Sequence, residues 1–336
     1  MKKIVILLMI SVSVLNISAQ TLKESLTSIV DKYSSDTLLN GSVKIAQGNK
    51  IIYQGSFGCK DIETKDLITQ STLFPIASLT KQFTSTAILI LQENERLSIN
   101  DKISKYIKLP QSMGNILIKN LMNHTSGIPD YWQNNIRNNK DSILNFLNKK
   151  DTLLFSPNTK HLYCNSGYFI LGQIIESVSG MDYKDFLEKN IFKPLGMNHT
   201  FVNDGRKCNR AIGYDENWNR NDYLMTTGDG GIISTVDDLY LWDKALLENK
   251  ILTTESRQTM FKPLKLDNEK IVNYGLGWDI NEGNDNIVSH TGWLASFGAY
   301  NQFDKETGYF IILLSNQIRP ELMDLIIEIN NELYKK

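Results

Sequence analysis

Ser78 and Lys81 stand three positions apart in Ser78-Leu79-Thr80-Lys81, at the mouth of a helical pattern. On a helix that spacing stacks a hydroxyl and an amine on one face, close enough to share a proton. A hydroxyl attacks an acyl carbon poorly until an adjacent base takes its proton, so the pair has the parts of an activated nucleophile. A helix beginning at the serine adds backbone N–H groups and a positive dipole end, which favour the charge that develops during attack. A Ser-x-x-Lys string is common by chance, and its weight depends on what accompanies it.

Two further groupings do. Tyr163-Cys164-Asn165 follows the turn signal Ser156-Pro157-Asn158 and leads into a helical pattern at Ser166. A tyrosine serves as general base only where nearby cations bring its pKa down from about 10. Asn165, expected on the same side of an extended segment, supplies a neutral donor and acceptor. His290-Thr291-Gly292 is expected at the end of a strand. Its imidazole can hold or share a proton, its threonine hydroxyl can meet a substrate carboxylate, and its glycine lets a substrate approach the backbone. Singly, a tyrosine or histidine of this kind is more often a packing residue.

The surrounding pattern says how the chain must hold these groups. Leu22, Leu26, Ile29, Val30 and Tyr33 recur at helical spacing behind Thr21 and Glu24, which predicts an opening amphipathic helix. Apolar residues around Gly48-Asn49 predict an antiparallel hairpin. From Ser78 to about Glu95 the pattern is apolar on most sides, as in a helix inside a protein. The middle third reads as a series of helices, and strand-like pieces return from Gly275 to Leu314 before a last helix. This order predicts an α/β (α+β) architecture, an antiparallel sheet flanked by helices with an inserted mainly helical domain. The expected division is 20–100 plus 230–336 for the α/β domain and 101–229 for the helical one, with the active site between them.

With 36 basic and 37 acidic side chains, the formal net charge is −1. That balance excludes a binder of nucleic-acid backbone, which needs concentrated positive charge. Three cysteines are too few for a disulfide scaffold, though a Cys59–Cys208 bridge stays open. The four histidines show no ligand spacing, so no metal or other cofactor is expected. Residues 1–19 have the form of an export signal: basic Lys2 and Lys3, an apolar run from Ile4 to Leu15, and a small-residue exit at Ser18-Ala19. The mature protein is expected in the periplasm or secreted, with no stable membrane span.

As an ordered set, Ser78/Lys81, Tyr163/Asn165 and His290/Thr291/Gly292 resemble the three motifs of the serine β-lactamase and penicillin-binding protein superfamily. The chain looks closest to the class C-like branch, which includes D-alanyl-D-alanine carboxypeptidases, D-aminopeptidases and related esterases. Phe74-Pro75-Ile76-Ala77, the stretch from Leu121 to Gly127, Gly230 to Thr235, and Tyr274-Gly275-Leu276-Gly277-Trp278 look like its connecting signatures. The resemblance implies that Ser78 is acylated, that Lys81 accepts or relays its proton, and that Tyr163 acts as base and then as acid. Asn165 would orient the substrate amide or Lys81, and His290, Thr291 and Gly292 would bind substrate. The backbone N–H groups of Ser78 and Trp293 would form the oxyanion hole. His124 would have a supporting role, and Tyr131 and Trp132 are the expected rim of the pocket. The implied substrates are small peptides, amides or esters, peptidoglycan-derived ones included. Ester hydrolysis and class C-like β-lactam hydrolysis stay open as alternatives, and so does a noncatalytic wall-binding role, although such proteins usually carry a broken motif. Two residues depart from the common pattern: His290 stands where most β-lactamases carry lysine, and Cys164 where serine is usual.

Overall fold

The computed structural model describes residues 21–36, 38–136, 139–225 and 227–335. The expected export signal over 1–19 lies outside the described residues. Among those described, no helix is long and apolar enough to cross a membrane.

A six-stranded antiparallel sheet organises the molecule. Its order is Asp279–Ile280, Ile287–Leu294, Phe297–Asp304, Tyr309–Ser315, Gly41–Gln47 and Lys50–Phe57, so strands from the two ends of the chain pair at its centre. Adjacent residues of one strand point to opposite faces. Ile311 and Leu313 therefore join Val43 and Ile45 in one core, beneath the helix over 21–35 and the last helix, Glu321–Leu333. Phe310, Ile312 and Leu314 pack on the other face, in the core that also holds Phe83, Ala87 and Trp242. A sheet covered on both faces has apolar residues at successive positions, and that is why these strands read as apolar runs.

The helix Thr80–Glu93 is buried along almost its whole length. Several of its polar side chains find partners across the core: Gln82 Nε2 donates to Asn301 Oδ1 at 2.6 Å, and Thr84 Oγ1 donates to the Gly228 carbonyl at 2.5 Å. Against it packs the helix Asn165–Ser179, which brings the second motif to the first.

The local structure differs from the sequence expectation at four places. Ser78 sits in a short 3-10 turn, Ala77–Leu79, that precedes the α-helix instead of opening it. Asn165 is the first residue of its helix, not part of an extended segment, because Asp130 caps that helix from a distant loop. His290-Thr291-Gly292 lies inside the strand Ile287–Leu294, which continues to a tight turn at Ala295-Ser296. Most of Gly275–Ile280 is a turn, with only Asp279–Ile280 paired as strand. Cys59 and Cys208 are free thiols, so the bridge left open by the sequence is not formed.

Candidate active site

The three motifs converge on one cleft of about 510 Å³, lined by Ser78, Tyr163, Asn165, His290, Thr291 and Trp293 among others. Ser78 is presented by a strained turn, since Ala77 before it adopts φ 49°, a region that side chains with a Cβ enter at a cost of about 1–3 kcal/mol. The strand carrying His290 presses against this turn. A Cβ on Gly292 would lie 2.4 Å from the Ile76 carbonyl oxygen and 3.3 Å from Ala77 Cβ. The glycine thus serves the approach of the strand to the turn that carries Ser78, where the sequence suggested an approach by substrate.

Lys81 is completely buried beneath Ser78. Its Nζ donates to Ser78 Oγ at 3.1 Å, to Asn165 Oδ1 at 2.9 Å and to the Asp229 carbonyl at 2.7 Å. Three acceptors match the three protons of an ammonium. Burial nevertheless lowers its pKa to about 8, with Asp229 and Asp130 opposing the shift. Loss of one proton would turn the Ser78 contact round, so that the hydroxyl donates to the amine.

Asn165 is held for this contact from behind. Its own N–H and that of Ser166 donate to Asp130 Oδ1 at 3.1 and 3.2 Å, and its amide Nδ2 donates to Asp130 Oδ2 at 3.2 Å. With its nitrogen committed to Asp130, the amide must turn its oxygen to Lys81. Asp229 is held likewise, receiving hydrogen bonds from Tyr131 Oη at 2.5 Å and Thr227 Oγ1 at 2.6 Å.

The ring of Tyr163 lies 4.9 Å from the Lys81 ammonium and 6.2 Å from the His290 ring. Its hydroxyl is out of solvent and makes no hydrogen bond among the described residues, although Ser78 is its polar neighbour. Burial pushes the phenol well above its usual pKa. The nearby ammonium does not overcome desolvation, so Tyr163 is a neutral phenol, contrary to the lowered pKa that a base would need.

His290 also departs from expectation. It is buried, its Nδ1 lies 2.6 Å from the Thr291 carbonyl oxygen, and its Nε2 lies 3.1 Å from Tyr274 Oη. Burial and the Lys81 charge depress its pKa to about 3. It is neutral, both nitrogens are committed, and it has no proton to offer a substrate carboxylate near neutral pH. Tyr274 in turn meets His124 Nε2 at 3.2 Å, and His124 Nδ1 accepts from the Cys164 N–H at 3.1 Å.

Backbone direction explains the part Trp293 can play. The Ile287 carbonyl accepts from the Asn281 N–H at 3.0 Å, on the outer side of the sheet. Alternate residues of an antiparallel strand send their backbone groups to the same side, so those of Ser289, Thr291 and Trp293 face outward too. The outer strand pairs only with Val288 and Ser289. The N–H and C=O of Trp293 therefore open onto the cleft beside Ser78, whose own N–H stands in the unsatisfied first turn of its helix. Of the two expected rim residues, Trp132 lines the cleft and is 39% exposed, but Tyr131 is buried with its hydroxyl spent on Asp229.

The family profile described as Beta-lactamase matches residues 26–329. The chain belongs to the beta-lactamase family. It is 32% identical over 303 residues to "Penicillin-binding protein 4*" of Bacillus subtilis strain 168, an alignment covering 81% of this chain and 67% of that one. The chain thus spans about two thirds of the length of this curated relative, and less of some others. In structure it is similar to the octameric penicillin-binding protein homologue from Pyrococcus abyssi, with TM-score 0.80 and 26% identity over 93% of this chain and 77% of that one. It is equally similar to a penicillin-binding protein from Bacillus halodurans, with TM-score 0.81 and 25% identity over 91% and 98% of the two chains.

Within this serine hydrolase family framework, the residues missed from sequence are Asp130, Asp229 and Tyr274. Asp130 and Asp229 act on Asn165 and Lys81 across long stretches of chain, and no local spacing marks either one. Tyr274 lies in a stretch already singled out, Tyr274-Gly275-Leu276-Gly277-Trp278. What that stretch does is visible only in the fold: Gly277, at φ +84°, comes so near the Lys81 helix that a Cβ would lie 3.0 Å from the Lys81 carbonyl oxygen.

Proposed function

We propose that this protein is an exported serine hydrolase that forms an acyl-enzyme at Ser78 and acts on peptides or amides of D-amino acids of the cell-wall type. The observation that carries the reading is the placement of Lys81, buried, with its amine on Ser78 Oγ, Asn165 Oδ1 and the Asp229 carbonyl at once. The cleft lies where the proposed helical insertion, 101–229, meets the sheet-bearing remainder of the chain.

In this reading neutral Lys81 takes the Ser78 proton as Oγ attacks the scissile carbonyl carbon. The oxygen that gains charge is received by the N–H groups of Ser78 and Trp293, an arrangement worth about 3 kcal/mol per donor in preorganised sites. On collapse, Tyr163 gives its phenol proton to the leaving nitrogen and is resupplied from the Lys81 ammonium, so the serine proton departs with the amine. Water then cleaves the ester by the same steps reversed, and Ser78 and neutral Lys81 are restored. The amide preference is supported by the neutral phenol, because an amine leaves only with a proton whereas an activated alcohol does not need one.

The test uses a fluorescent penicillin or a phosphonate on the purified protein, with the modified residue located by mass spectrometry. Labelling at Ser78, absent from Ser78→Ala, is expected. Labelling that persists in Ser78→Ala would end the proposal. Parallel turnover of a D-amino-acid amide, a short ester and nitrocefin ranks the substrates, and turnover of nitrocefin matching that of the amide would assign the protein to β-lactam hydrolysis instead.

A further inference from the structure

Asp279 is the one carboxylate on the cleft wall, among the described residues, that no other group claims. Asp130 lines the same cleft, but its oxygens serve Asn165, Ser166 and Trp132. Asp279 has no hydrogen bond or ion pair to a side chain among the described residues, and its side chain is half-buried, enough to raise its carboxyl pKa. A desolvated carboxylate without a partner is costly, and a cation is what would relieve it.

Its position is set by the sheet. Asp279 pairs with Ser289, so it stands where the short outer strand ends and the open edge of Thr291 and Trp293 begins. A ligand laid along that edge with its carbonyl over Ser78 has this carboxylate at one end and the Trp293 indole, 45% exposed, at the other. No lysine or arginine lines the cleft among the described residues. Lys81 is sealed beneath Ser78, and His290, where a cation would answer a substrate carboxylate, is neutral with both nitrogens in use.

We infer that Asp279 is the specificity-determining residue of the cleft, and that it receives a protonated amine carried by the substrate near its scissile carbonyl. The inference rests on the hydrolase reading above and narrows it: the preferred substrates are cationic amides or esters, not ones recognised by a free carboxylate. The exposed indoles of Trp132 and Trp293 suit such a ligand as well, since aromatic faces attract ammonium groups.

The experiment compares three substrates with one leaving group on the intact protein: an aminoacyl p-nitroanilide with a free amine, its N-acetylated counterpart, and a succinylated, anionic one. Wild-type kcat/KM is expected to favour the free amine by about tenfold or more over the acetylated form, as one charge-assisted contact provides. Asp279→Asn is expected to collapse that ratio through KM, and Asp279→Lys to shift preference to the anionic substrate.

A wild-type measurement tests the same inference without any variant. Burial raises the Asp279 carboxyl to about 6, so the ratio of amine to acetylated substrate is expected to fall as pH drops from 7 to 5. The other titratable groups facing it, Tyr163, Tyr274, Tyr300 and His290, hold one protonation state across that range. Lys81 enters both rates alike and cancels in the ratio. A wild-type preference for the anionic or acetylated substrate, or a ratio unmoved by pH and by Asp279→Asn, overturns the inference. Ser78 labelling by a neutral phosphonate separates the two readings: labelling without charge preference sinks only the role of Asp279, whereas absent labelling sinks the hydrolase reading.

Discussion

Tyr274 donates its phenol proton to His290 Nε2 across 3.1 Å. The direction follows from the far end of the chain of bonds. The Cys164 N–H can only donate, so His124 Nδ1 accepts, and the proton of that neutral ring sits on Nε2, facing Tyr274. Tyr274 must then donate to His290 Nε2, which leaves His290 Nδ1–H for the Thr291 carbonyl. One run of protons thus ties the Tyr163-Cys164-Asn165 segment to the His290-Thr291-Gly292 strand.

Removing that bridge has a defined cost. Tyr274→Phe leaves the His124 N–H and the His290 lone pair unmatched in a buried site, and a loss of about 1–3 kcal/mol is expected in urea unfolding. Wild-type stability should also fall with acid below pH 6.5. The His290 pKa is depressed to about 3, so between those values the unfolded chain takes a proton that the folded one refuses. A stability unaltered in Tyr274→Phe would show that the two motifs are not coupled through this ring.

In the proposed mechanism Lys81 sets the pH dependence of acylation. With its pKa lowered to about 8, roughly a tenth of the amine is neutral at pH 7. The rate of Ser78 acylation by a neutral ester should therefore rise with pH and level off above about 8. Arginine cannot be deprotonated in this range, and Lys81→Arg should lose about 10²–10⁴-fold in that rate. A rate already flat at pH 6 would exclude Lys81 as the base.

Tyr163→Phe distinguishes a proton donor from a base. If the neutral phenol serves the leaving group, amide hydrolysis should fall by about 10²-fold or more, while a nitrophenyl ester, whose leaving group needs no proton, loses less than about tenfold. Equal losses on both substrates would place Tyr163 at the attack step instead.

Gly292→Ala tests the contact that presents the nucleophile. The added methyl would lie 2.4 Å from the Ile76 carbonyl oxygen, and overpacking of this kind costs about 1–3 kcal/mol. The turn at Ala77 is expected to yield, displacing Ser78, so labelling by a fluorescent penicillin should slow by at least about tenfold while the variant stays folded by circular dichroism. Labelling at the wild-type rate would mean that strand and turn are not coupled.

The chain by itself determined which groups would meet. The spacing of three brings Ser78 and Lys81 together even though Ser78 lies in the 3-10 turn before the helix of Lys81, the apolar pattern after Ser78 marked a helix that had to be interior, and the alternation around Gly48-Asn49 set the first hairpin. These are local properties, written in residue type and period. The rim assignment of Tyr131 failed for the complementary reason, because a tyrosine next to a proline turn carries no local sign of the Asp229 carboxylate that claims its hydroxyl.

Only the tertiary structure decided the surroundings and protonation states of the site. Whether Tyr163 is a base or an acid, and whether His290 is charged, depends on desolvation and on partners contributed by segments far apart in sequence. Asp130 turning the Asn165 amide, Asp229 completing the Lys81 shell, Gly292 meeting Ile76 and Asp279 left unpaired on the wall are all relations across the fold. Their energies come from burial and from hydrogen-bond geometry, which no spacing along the chain encodes.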